Sequence, residues 1–233
     1  MKKLFQPVFA AGLTLSAAAM AATSPASAQV AGIATSSPEA VLVQSAALQQ
    51  GYTAINTTYA TQRTQIQTLR TEINNLQLSL NTNGDREVDQ AEWDANPGVT
   101  AQIEAKEAQM QTLQRPITVA EMYVVEQILA QYGAAEKQVI DGNNIQIMLE
   151  PSAIQYSVEA VDVTGKIVAA LNQALPVAAT TPPADWNPRR DTVATHQAIQ
   201  QILAGLAQRA AVQAAIQQQQ AQQGQTQSTE VPR

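Results

Sequence analysis

From Gly51 onward the apolar side chains fall at Tyr52, Ile55, Tyr59, Ile66, Leu69, Ile73, Leu76 and Leu80, with Gln62 in the one missing place. The spacing alternates three and four, the signature of a helix that buries a narrow seam against a partner helix. A second series runs through Ile103, Met110, Leu113, Ile117 and Val124. Between them lies a segment rich in Asn, Gly and Asp that ends at Pro97-Gly98. Two long helices joined by such a turn predict an antiparallel coiled-coil hairpin over residues 51–140, with a tip loop at 81–98. Pro116, preceded by Arg115, falls inside the second helix, and an interior proline costs roughly 3 kcal/mol, so a kink is expected there.

After Asp141-Gly142-Asn143 the period changes. The run NIQIML alternates, EPSA supplies turn chemistry and IQYSV resumes an extended pattern, so Asn144 to Val158 is expected to be a β-hairpin. Asp162 then caps a helix reaching about Leu175. The apolar piece VAGIAT, within residues 29–50, is the candidate partner strand, followed by a helix start. The expected fold is therefore mainly α with a small β body, formed by 29–50 and 141–176 at the two ends of the hairpin. Beyond Pro176 the sequence predicts a proline-rich linker (177–191), an Ala/Gln-rich helix (192–216) and a disordered tail (217–233) that has no apolar face to bury.

Composition adds a compartment. MKK, an apolar run and SPASAQ together form a secretory leader, cleaved between Ala28 and Gln29. The mature protein is then exported to the periplasm with no transmembrane segment. Loss of Lys2 and Lys3 takes the net charge from −6 to −8, which argues against nucleic acid as a partner. Both Phe residues leave with the leader, so two Trp and five Tyr remain. Thin helical pairs packed through Leu, Ile and Ala suit so few aromatics. The chain has no Cys, which removes disulfides, thiol chemistry and lipid attachment.

The segment NNIQIMLEPSAIQYSVEAVDVTGKIVAALNQALP resembles the strand, turn, tyrosine-bearing strand and closing helix of the Skp/OmpH family of periplasmic chaperones. VAGIATSSPEAVLVQSAALQQGY is similar to that family's first strand and serine-containing helix start. The likeness covers roughly residues 30–176. It implies a homotrimer in which strands of three chains build a barrel and three helical arms, or tentacles, project around a cavity. It also implies an activity, the ATP-independent holding of unfolded outer-membrane proteins during their assembly. No phosphate loop is present, since Gly165-Lys166 lacks the upstream glycine. The acidity of this chain departs from the strongly basic character of many family members. Met110, Leu113, Met122 and Val125 are candidates for apolar client contacts, with Met adapting to varied partners.

Catalytic chemistry has little to draw on. His196 is the only histidine, in the Ala/Gln-rich helix, where it reads as a polar surface residue, so no enzyme activity is expected. The tip loop offers one metal-like pattern. Set on a twelve-residue calcium loop, Asn81, Asn83, Asp85, Glu87 (through its carbonyl), Asp89 and Glu92 take the ligand positions. Arg86 stands where the loop needs glycine, and Asn81 is neutral, so the expectation is weak calcium binding or a metal-free turn, with no other cofactor. Two further readings stay open: a calcium-binding envelope protein centred on this loop, and a structural coiled-coil adaptor using the Pro/Gln-rich end.

Overall fold

The computed structural model describes residues 32–82, 84 and 87–227, with side chains up to 220. The leader expected at 1–28 lies outside the described residues. The order is β1 (Ile33–Thr35), α1 (Pro38–Gln44), α2 (Ala46–Thr58), α3 (Ala60–Leu80), α4 (Gln90–Ala95), α5 (Pro97–Gly142), β2 (Ile147–Leu149), α6 (Thr164–Ala174) and α7 (Arg190–Gln227), with 3-10 turns at Pro151–Ala153 and Glu159–Val161. Among the described residues the protein is mainly helical, with one two-stranded sheet.

The seam read from the sequence is buried. Ile55, Ile66, Leu69, Ile73 and Leu80 are all in the core, while Tyr52, Tyr59 and Leu76 are half-buried. Their partners lie on α5, and the pairing descends on one side as it climbs on the other. Arg63 meets Glu121, Lys106 bonds Glu72 at 2.6 Å, and Leu80 clusters with Ile103. At about 1.5 Å per residue the 46 residues of α5 span roughly 69 Å. Pro116 sits inside this helix without ending it.

Polar side chains set where the helices begin and end. Ser37 and Ser45 accept the amides of Ala40 and Leu48 as N-caps. Asn144, at φ 52°, ends α5 in a Schellman motif: its amide donates to Asp141 O at 3.4 Å and that of Ile145 to Ile140 O at 3.0 Å. Asp162 is the expected cap of α6, but the N-cap is Val163, which makes no side-chain capping bond; Asp162 lies one residue earlier and accepts the amide of Thr164 at 2.8 Å. Gly51 lets α2 approach α5, since a Cβ there would lie 3.0 Å from both methyls of the fully buried Val124.

The segment Asn144–Val158 differs from the expected hairpin. Only Ile147–Leu149 is a strand, and it pairs in parallel with β1, Ile33 opposite Ile147 and Thr35 opposite Leu149. Pro151–Ala153 closes into a 3-10 turn, and the following IQYSV run forms no strand within this chain. The alternation there has nothing to bury against, for Tyr156 is 85% exposed. At the far end, the tail expected to be disordered from 217 continues α7 as helix to Gln227, although every described side chain from 207 to 220 is exposed. Alanine and glutamine are good helix formers, so α7 extends without a packed face.

Candidate functional site

The proline-rich stretch does not run free as a linker. It lies along α5 as a strap, pinned at a series of points. The Gln127 carboxamide pairs with both backbone groups of Ala179, accepting its N–H at 3.0 Å and donating to its carbonyl at 2.8 Å. Such a pair reads main chain and ignores the side chain. Glu126 gathers the next turn: it accepts Trp186 Nε1 at 3.2 Å, the Arg189 amide at 3.3 Å and Thr192 Oγ1 at 2.8 Å. Burial alone would raise the Glu126 pKa, but these three bonds and the Arg189 guanidinium outweigh it and hold the carboxyl below its ordinary range. The Trp186 ring meets Tyr123 edge to face, with centroids 5.2 Å apart.

Deeper in the same contact lies a polar node. Glu121 Oε1 accepts from Arg63 Nη2 at 2.9 Å, and Oε2 lies 3.1 Å from His196 Nε2 and accepts from Gln200 Nε2 at 3.2 Å. A carboxylate only accepts, so the imidazole presents Nε2–H to it. His196 is 7% exposed. The sequence reading of a surface histidine is thus corrected: α7 turns this face inward, burying Ile199 and Thr192 alongside. Tyr52 completes the surroundings, its pKa raised by burial and then by the Glu121 charge, against a smaller lowering by the Gln200 side chain. The node binds α3, α5 and α7 together and brings no nucleophile to the histidine.

Of the candidate client contacts, Val125 is fully buried and is corrected to a core residue. Met110 and Leu113 pack against the helical core. Met122 opens, with Val119, on a groove of about 840 Å³ whose other wall is the strap at Pro182, Pro183 and Trp186. Sequence reasoning passed over Glu126, Gln127 and Trp186. The available signal was the tryptophan itself, one of two in the chain, set among prolines in a stretch otherwise without aromatics.

The tip turn is closed by its own side chains. Asn81 accepts the Gly84 amide at 2.8 Å and donates to the Glu87 carbonyl at 3.2 Å. Asp89 and Glu92 form a capping box at the start of α4, and Glu92 Oε1 also accepts from the amide and hydroxyl of Thr82. Asn83 and Asp85 lie outside the described residues. Among the described residues, no three acidic or histidine side chains converge as a metal cluster. No helix among them is long and apolar enough to cross a membrane.

Comparison with known proteins places this architecture. The pattern of the family described as "Outer membrane protein (OmpH-like)" matches residues 32–171, from just before β1 to within α6. A crystal structure of a candidate outer membrane chaperone (OmpH-like) from Caulobacter crescentus CB15 is similar over 78% of this chain and 99% of that one, at 15% identity and a TM-score of 0.45. No curated protein matches the chain.

Proposed function

Because the chain belongs to the OmpH-like outer membrane protein family, we propose that it is a periplasmic chaperone that holds unfolded outer-membrane proteins without nucleotide. Three copies would join through their sheets, and the α3–α5 pair of each would project as an antiparallel coiled-coil arm, the three arms enclosing a client cavity.

The observation that carries this reading is the unfinished sheet. Two three-residue strands are too few to stand alone, and their edges invite further strands. Ile33 and Ile147 are exposed at 39% and 50%, and the run carrying Tyr156 and Val158 has no partner strand among the described residues. Neighbouring copies would supply both. Clients would be retained by many weak apolar contacts, with flexible side chains such as Met122 fitting varied sequences.

Light scattering on the mature protein tests the assembly, with a trimer expected; a stable monomer at micromolar concentration would remove the cavity. On the same sample, aggregation of an unfolded outer-membrane β-barrel protein is expected to be suppressed without ATP. Unchanged aggregation at a molar excess of trimer would refute the holding activity.

A further inference from the structure

The strap shows what its bed on α5 can bind. It crosses that helix as irregular chain, bent at 177 and 180–181 and turned at 184–185, and at Ala179 and Arg189 it is held through its main chain. Gln127 takes the N–H and C=O of a single residue, Ala179, whose side chain could be almost any other. Glu126 takes a backbone amide together with its side-chain donors. Beside these lie the apolar Val119 and Met122, along the groove that the strap only partly fills. A helix face offering a backbone clamp beside adaptable apolar side chains suits a non-helical polypeptide segment, with room for variation in its sequence.

We propose that this face of α5 is a polypeptide-binding site and that the strap, residues 177–189, is its tethered occupant, competing with segments of an unfolded client. The inference rests on the chaperone reading above and adds to it a place and a control. A tethered occupant acts at high effective concentration, so weak or fleeting clients are refused and only chains with many segments displace it. Proline suits this part. Pro182, Pro183 and Pro188 lack the N–H that a neighbouring strand would need, so the strap can be displaced without offering itself as an edge for aggregation.

Trp186 reports the exchange. In full-length protein carrying Trp93→Phe, Trp186 is the one remaining tryptophan, and the probe is a tryptophan-free unfolded β-barrel polypeptide. Its binding is expected to move Trp186 emission to the red as the ring leaves Tyr123 for water. Two changes that each remove a different bond to Glu126, Trp186→Ala and Thr192→Val, are each expected to tighten client binding about three- to tenfold, read by labelled client. Binding that leaves the emission unmoved or shifts it to the blue, with both variants at wild-type affinity, would overturn the competition while leaving the chaperone reading intact. No binding by any of the proteins would overturn the chaperone reading and the competition with it.

Discussion

Gly51 and Glu126 show how much of this structure turns on single groups. At Gly51 an alanine would gain up to about 1 kcal/mol of helix propensity. It would also press its methyl to 3.0 Å from Val124, which is enclosed on all sides. Overpacking of this kind costs about 1–3 kcal/mol, so Gly51→Ala is expected to destabilise by a net ~1–2 kcal/mol, measured by thermal or denaturant melting. Glu126 acts through charge. Its pKa is lowered in the docked state, so its ionised form stabilises the strap above the ordinary carboxylate pKa, and that stabilisation is lost as pH falls through the lowered value. Acidification below the ordinary carboxylate range is therefore expected to free the strap, with Trp186 emission shifting to the red before the far-ultraviolet helical signal falls. Glu126→Gln should show the released emission already at neutral pH.

Among the elements, those with strong periodicity were the most legible. The three-four spacing from Tyr52 to Leu80 named the buried seam of α2 and α3 almost residue by residue, because one partner helix decides it. The β segment was harder. IQYSV alternates as a strand would, but whether it becomes one depends on a neighbour that the described residues do not provide, as the exposure of Tyr156 shows. His196 and Ile199 were illegible for a related reason: a helix of Ala and Gln with few apolar residues reads as surface, and its docking is decided by Glu121 and Glu126, remote in sequence. The tip turn is an intermediate case, with residues that suit calcium spent largely on capping and closure. Glu92 and Asp89 would have to leave their capping box to bind an ion, so calcium is expected to bind no tighter than about 10⁻⁴–10⁻³ M, or not at all. Calorimetry checks this, and submicromolar binding would make the turn a metal site. Changing Arg86 to Gly and Asn81 to Asp together should strengthen any binding.

At the scale of the molecule, family resemblance and physical extent do not coincide. The matched region ends at 171, yet the fold continues, for Ala178, Thr192, His196 and Ile199 are buried against it. Deleting residues 177–233 uncovers their bed and leaves Glu121 with fewer donors. Burying one large aliphatic side chain contributes about 1.5–3 kcal/mol and each hydrogen bond about 1 kcal/mol, offset by the cost of ordering the strap. The truncated protein is expected to be less stable by about 2–4 kcal/mol in denaturant unfolding, and an unchanged midpoint would show the strap to be loosely held.

The parallel register of β1 and β2 also carries a consequence for the order in which the protein is made. Thr35 bonds Leu149 across 114 residues of chain, and a loop of that length closes slowly unless something shortens it. Folding α3 back along α5 does so, bringing the two strands together at the base of the helices. The arm should therefore form first, from mostly helical contacts, and the sheet only after the last turn of α5 is in place. Until then there is no exposed edge to mispair. A chain made N-terminus first thus keeps its sheet unmade until more than half of it has been released, and presents that edge only as a nearly finished fold.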